Sequence, residues 1–240
     1  MNSSKYKEIQ SVFESLDMRT KEYMKEYFKN APEWVYDSCS VVALEKNDIF
    51  ITENSKVLNV YLLVEGFVKA TDFRIQGAIY NFMWFQPVIA FGALEVLLNE
   101  TTYKTTLMAS TSCRLIKLPK VVYEKWVKED VTALFIESSQ TALHLMNQSR
   151  RERVYLFMQA VDRLAYFMVN YYDQFEMDGL CQVRLTRQDL SDCTGVSVKT
   201  ITRSLANLME KGCVRKKGNK ILITKEDYLR LKSYISEIVD

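Results

Sequence analysis

Apolar residues recur at helical spacing over the first forty positions, with Ile9, Val12, Phe13 and Leu16 on one side. "TKEYMKEYF" continues the pattern, with Thr20 reading as its cap. From Val41 the texture changes to short β-prone runs, "CSVVAL", "DIFIT", "VYLLVEGFVKATDF", "AIYNFMWF", "TTLMAST" and "CRLIKL", parted by the turn-like "EKND", "ENSK", "RIQG" and "NETTY". Several short strands at close spacing predict a compact β-roll or barrel. Pro119 then opens a helical stretch running to about Gln174, with a break near Asp130. Within it Leu134, Thr141, Leu145, Gln148, Glu152 and Tyr155 follow a half-apolar heptad track, and a second copy of the chain is its simplest partner.

The C-terminal third carries the sharper signals. Thr186 followed by Asp189 reads as a helix start, since a threonine hydroxyl accepts an orphan backbone N–H and a carboxylate suits the positive helix end. The first helix runs from Arg187 to about Thr194 and is expected to bury Leu190 and Cys193. Gly195 can take the left-handed conformation that ends it, and Ser197 can cap a second helix from Val198 to Glu210. Ile201, Leu205 and Leu208 form that helix's buried side, leaving Lys199, Thr202, Arg203 and Ala206 outward. Two short helices joined by a tight glycine turn make a helix-turn-helix, whose second helix enters the DNA major groove. "CVRKKGNKILIT" then reads as a basic hairpin, a wing, and a last helix after Thr224 is expected to bury Tyr228, Leu229, Leu231 and Ile235.

Charge sharpens this picture only when counted locally. The whole chain sums to +2, yet Thr186 to Lys220 holds eight basic against three acidic residues, a net of +5. Such segregation marks a phosphate-binding surface. Lys199 and Arg203 stand four apart on one side, and arginine can bridge guanine O6 and N7. The five cysteines are odd in number and lack a C-x-x-C pair, so plain thiols in a reducing compartment are expected, with no metal site. No run approaches the roughly 18 apolar residues of a membrane span, and the N-terminus lacks an apolar signal region, which predicts a cytoplasmic protein without membrane contact. A single histidine, no glycine-rich phosphate loop and no nucleophile elbow predict a non-enzyme with no catalytic residues.

"LTRQDLSDCTGVSVKTITRSLANLMEKGCV", followed by "GNKILIT", resembles the winged-helix DNA-binding domain of the cyclic AMP receptor protein and fumarate–nitrate regulator (CRP/FNR) family of bacterial transcription factors. Upstream, "ALEKNDIFITENSKVLNVYLLVEGFVK" and "FGALEVLL" are similar to that family's β-roll and its short pocket helix. The resemblance implies an α+β fold: a cyclic-nucleotide-binding-like β-roll with N-terminal helices over residues 1–128, a dimerisation helix over 129–161 and a winged helix-turn-helix over 162–240. It implies a homodimer on palindromic double-stranded DNA, with RNA polymerase and a small-molecule effector as further partners. By position, Val198, Lys199, Thr202 and Arg203 would read bases, and Thr186, Arg187, Ser197, Thr200 and Lys217 complete the expected interface. Many members have glutamate where this chain has Lys199, which implies a different preference at that base pair.

The sensor half departs from the nucleotide-binding pattern. The glutamate expected after the glycine of "FG" is Ala93, following Gly92, and the arginine position falls on Tyr103, with Lys104 one place later. Without the guanidinium the bidentate phosphate clamp is missing. Gln148 and Ser149 remain polar candidates for a small-molecule effector of unknown identity, with a redox signal at a thiol or constitutive action as the other readings. No cofactor is predicted: the cysteine cluster of the iron–sulfur type is absent, and His144, a conceivable haem ligand, reads as packed or solvated. A cyclic-nucleotide response, or a winged helix that binds protein instead of DNA, stands as the alternative.

Overall fold

The computed structural model describes residues 4–73, 79–218 and 220–239, without the side chains of 73, 79–82, 150–157, 174 and 237–239. The predicted "RIQG" turn lies outside this range, as do the side chains of Glu152 and Tyr155. Residues 1–146 and 147–240 form two compact units.

The first unit opens with three helices, α1 (Ser4–Ser15), α2 (Met18–Tyr27) and α3 (Glu33–Ser38). Asp17, not Thr20, caps α2: its carboxylate accepts from the N–H groups of Arg19 and Thr20, while Thr20 itself is buried. A carboxylate reaches two orphan donors at once and benefits from the helix dipole.

The β-roll follows, with β1 (Ser40–Leu44), β2 (Ile49–Ile51), β3 (Asn59–Glu65), β4 (Val68–Phe73), β5 (Ile79–Phe85), β6 (Ile89–Phe91), a short helix α4 (Ala93–Leu97), β7 (Thr106–Ala109) and β8 (Cys113–Pro119). The strands pair antiparallel in two sheets, ordered β1-β8-β3-β6 and β2-β7-β4-β5. β6 is an unanticipated strand in "PVIAFG". Along β3, Val60, Leu62 and Val64 face the core shared with the helices, while Leu63 faces the core between the sheets. β3 is therefore covered on both sides, which is why "NVYLLVE" reads as a continuous apolar run without alternation.

α5 (Lys120–Glu129) and α6 (Val131–Phe157) meet at Asp130, where the sequence predicts a break. The buried Asp130 accepts the Trp126 indole N–H at 3.1 Å on one oxygen and caps α6 through the N–H groups of Thr132 and Ala133 on the other. Around it Trp126 packs against Phe28 with ring centroids 4.7 Å apart. Two turns on, buried Glu137 accepts from the Tyr27 hydroxyl at 2.9 Å, and Tyr27 and Tyr123 bond each other at 2.7 Å. This joins α2, α5 and the root of α6.

α6 presents an outward stripe that only partly follows the predicted heptad track. Of the track, Leu134 packs into the helical core and Thr141 turns towards Glu137, while Leu145 is 52% exposed; beside it, off the track, Val131 is 77%, Phe135 72% and Met146 69% exposed. The N-terminal helices claim one face of α6, so its free apolar side is rotated from the track that sequence alone suggests.

Burial raises the Glu137 carboxyl above the ordinary carboxylate value, against the lowering effect of the tyrosine and threonine hydroxyls. The folded state then holds that proton more tightly than the unfolded chain. Stability is fully present below the ordinary carboxylate pKa and is lost as pH rises through the raised folded value. Denaturant unfolding as a function of pH is expected to show this decline in the wild type and its absence in Glu137→Gln.

Candidate DNA interface

The second unit comprises the end of α6, α7 (Ala160–Phe175), β9 (Leu180–Val183), α8 (Arg187–Thr194), α9 (Val198–Glu210), β10 (Arg215–Lys217), β11 (Lys220–Thr224) and α10 (Lys225–Val239). α7 starts afresh after α6 ends: the Asp162 carboxylate accepts the Gln159 N–H at 3.0 Å in a capping box, closing a second break in the predicted long helix.

α8 begins with a reciprocal capping box. The Asp189 N–H donates to Thr186 Oγ1 at 3.0 Å, and the Thr186 N–H donates to Asp189 Oδ2 at 2.9 Å. Gly195 ends the helix at φ +67°, Val196 buries its side chain in the turn, and Ser197 caps α9 by accepting the Thr200 N–H at 3.3 Å. α8 buries Leu190 and Thr194; Cys193, expected inside, is only half-buried. Thr194 can be buried because its hydroxyl donates to the Leu190 carbonyl at 2.7 Å.

α9 turns Ile201, Ser204, Leu205 and Leu208 inward, into one core with Leu164, Ala165 and Met168 of α7. Val198, Lys199, Thr202, Arg203 and Ala206 are exposed on the opposite side. The Thr202 hydroxyl donates back to the Val198 carbonyl at 3.0 Å, and the hydroxyls of Ser197 and Thr200 bond each other at 2.9 Å. These three are oriented by the helix itself. Lys199 and Arg203 form no ion pair among the described residues, so their charge is uncommitted. Arg187 is half-buried at the start of α8.

The wing is the β10–β11 hairpin, with Lys217 opposite Lys220. β9, read in the sequence only as part of a turn segment, pairs with β11 and makes the wing a three-stranded sheet. Lys216 and Lys220 are as exposed as Lys217; their place in the same basic hairpin was the available signal. Arg215, counted among the local charges, is instead paired with Asp227 and Glu226. On α10, Leu231 and Ile235 are buried and Tyr228 is half-buried, but Leu229 is 57% exposed, and the inward position near it belongs to Asp227.

In the sensor half, Gly92 and Tyr103 come together. Gly92 has φ +94°, and a Cβ there would lie 2.9 Å from the Asn59 carbonyl and 3.3 Å from the Tyr103 ring. Tyr103 is buried and donates its hydroxyl to the same Asn59 carbonyl at 2.6 Å; burial pushes its pKa up to about 12. Ala93 is fully buried. Lys104 points its ammonium to Glu100 at 2.8 Å, while its N–H donates to Glu95. Gln148 is half-buried and Ser149 exposed in the second unit. His144 stacks on Phe85 with centroids 5.5 Å apart, its Nε2 2.9 Å from the Met83 sulfur. All five cysteines are free, and among the described residues no cluster of three or more His, Cys, Asp or Glu could hold a metal ion. No described helix is long and apolar enough to cross a membrane.

A β-roll and a winged helix-turn-helix with a free basic reading face define a DNA-binding transcription regulator. Residues 162–231 match the Crp-like helix-turn-helix domain. The chain is 20% identical over 195 residues to the cAMP-activated global transcriptional regulator CRP of Haemophilus influenzae, covering 80% of this chain and 87% of that protein. It is 22% identical over 193 residues to the HTH-type transcriptional regulator ArcR of Staphylococcus epidermidis, covering 78% and 83%. Among solved structures, FixK2 from Bradyrhizobium japonicum superposes with a TM-score of 0.69 at 18% identity, over 80% of this chain and 96% of that one. TTHA1359, a CRP/FNR-family regulator from Thermus thermophilus, gives 0.68 at 19%, over 83% and 100%. The chain therefore carries a Crp-like helix-turn-helix domain and shares its fold with solved CRP/FNR-family regulators.

A side chain at position 195 would meet nothing within 4 Å, so the cost of Gly195→Ala comes from the backbone alone. The left-handed conformation disfavours alanine by about 1 kcal/mol. Thermal unfolding is expected to register that loss, with Gly195→Asn costing less.

Proposed function

We propose that the chain acts as a homodimer that binds a palindromic operator in sequence-specific fashion through α9, with the wing on the flanking phosphates. The observation that carries this reading is the pair Lys199 and Arg203, exposed, without an ion pair among the described residues, and four positions apart on the outward face of a helix whose other face is fully buried. Arg203 reads guanine by a bidentate bond. Lys199 donates to guanine or phosphate where a glutamate would accept from cytosine. Val198 and Thr202 offer apolar or hydroxyl contacts beside them. Thr186, Arg187, Ser197, Thr200 and Lys217 hold the backbone and so set register without reading sequence.

The exposed apolar positions of α6, Val131, Phe135, Leu145 and Met146, support pairing with a second copy. The functional division at residues 128 and 161, the cytoplasmic setting, the absence of catalysis and a contact to RNA polymerase belong to the same proposal. The relatives named CRP are cAMP-activated; this chain is read differently. A buried tyrosine, already bonded to a main-chain carbonyl, occupies the position of the phosphate-clamping arginine, Ala93 replaces the carboxylate, and Lys104 is neutralised by Glu100. An anionic nucleotide would meet no free cation among Gly92, Ala93, Tyr103 and Lys104. The signal, a small molecule with Gln148 and Ser149 as candidate contacts or a redox change, is accordingly not cyclic AMP.

Selection of bound sites from random duplexes is expected to yield an inverted repeat. Arg203→Ala should cost about 1 to 3 kcal/mol per half-site and relax preference at one guanine. Lys199→Glu should shift the neighbouring position towards cytosine. Unchanged occupancy and base preference in Arg203→Ala would remove the proposal. Calorimetric titration with cyclic AMP and cyclic GMP is expected to give no binding heat, and saturable binding of either would overturn the effector reading.

A further inference from the structure

The wing's edge strand is braced by a buried carboxylate. β10 is only three residues long, fully exposed, and bonded on one side to β11. Arg215, its first residue, places Nε 3.0 Å from Oδ2 and 3.1 Å from Oδ1 of Asp227, which is completely buried in the first turn of α10. The same Asp227 accepts the Thr224 N–H at 3.0 Å and donates its own N–H to Thr224 Oγ1 at 3.3 Å, capping the helix. Glu226 adds a second layer: it meets Arg215 Nη2 at 3.4 Å and Arg230 Nη2 at 2.5 Å, and Arg230 Nη1 reaches the Gly212 carbonyl at 3.3 Å. One carboxylate thus ties the end of β11, the start of α10 and the free edge of the wing.

By charge alone Arg215 would be counted with Lys216, Lys217 and Lys220 as a phosphate contact. Its Nε and Nη2 are committed to Asp227 and Glu226, whereas those three lysines form no ion pair among the described residues. We propose that Arg215 and Asp227 are positioning residues, a strut that holds the wing so that Lys216, Lys217 and Lys220 meet DNA phosphates, and that Arg215 does not contact DNA itself. This rests on the DNA-binding reading above.

The two roles predict opposite signs for one substitution. Asp227→Asn keeps an oxygen that can cap α10 but removes the charge that holds Arg215. If Arg215 were a phosphate contact, deleting a nearby negative charge would strengthen DNA binding. As a strut, its loss weakens binding several-fold and makes the slope of log affinity against log salt shallower by roughly one to two, at about 0.9 for each phosphate left without its lysine. Arg215→Met, which leaves Asp227 in place, should reproduce that loss, and Lys217→Ala should weaken the wild type yet add little in the Asp227→Asn background. Base preference at the Arg203 guanine should be unchanged in every variant.

Amide hydrogen exchange of the free protein supplies a readout without DNA: β10 and β11 should exchange faster in both variants while α8 and α9 keep their protection. Tighter binding by Asp227→Asn overturns the proposal. So does unaltered β10 and β11 exchange in both variants. If the wild type bound no DNA, the functional reading would fail while exchange still decided whether the strut exists.

Discussion

The rotation of α9 about its own axis is the constraint from which the interface follows. Ile201, Leu205 and Leu208 are buried against α7, and each such burial is worth about 1.5 to 3 kcal/mol. Successive helical residues point about 100° apart, so fixing those three leaves Lys199, Thr202 and Arg203 no direction but outward. Turning the helix so that Thr200, Arg203, Ser204 and Asn207 faced inward would expose Leu205 and Leu208 and bury an arginine. The caps at Thr186 and Ser197 and the left-handed Gly195 set where each helix starts, and thus which turn of α9 leads.

Local charge balance completes the surface, but ion pairing decides which charges count. The segment Thr186 to Lys220 is basic, at +5, in a chain that sums to +2. Arg215 and Arg230 are drawn to Glu226 and Asp227, and Lys211 lies over the Tyr234 ring at 4.2 Å, so on α9 and the wing the exposed basic residues without such a partner among the described residues are Lys199, Arg203, Lys216, Lys217 and Lys220. These sit on the second helix of the helix-turn-helix and on the wing, the elements that a major-groove docking uses.

In the first unit, the polar groups around Gly92 are satisfied by the protein itself. Tyr103 closes on the Asn59 carbonyl, and Gly92 leaves no room beside it. Elsewhere the same unit buries Asp130 and Glu137, each with hydroxyl, indole or backbone donors around it. Both carboxylates lie at the root of α6, so the N-terminal helices hold that helix through directional bonds as well as packing.

Local chemistry was readable from the chain: the caps and glycine of the helix-turn-helix, the inward leucines and outward basic residues of α9, the hairpin, and the break at Asp130 all depend on residues within a few positions of one another. What depended on distant partners was not. Thr20 yields its cap to Asp17, and Cys193 gives way to Thr194 because a hydroxyl can bond back to its own helix. Leu134 turns inward because α1 to α3 cover it, and Leu229 turns outward because Asp227 is needed within. β6 and β9 are too short to announce themselves and exist through strands far along the chain. Sequence periodicity states that a helix has two faces; only the neighbours packed against it determine how many of its residues each face may keep, since burial is a property of pairs of surfaces and not of a single segment.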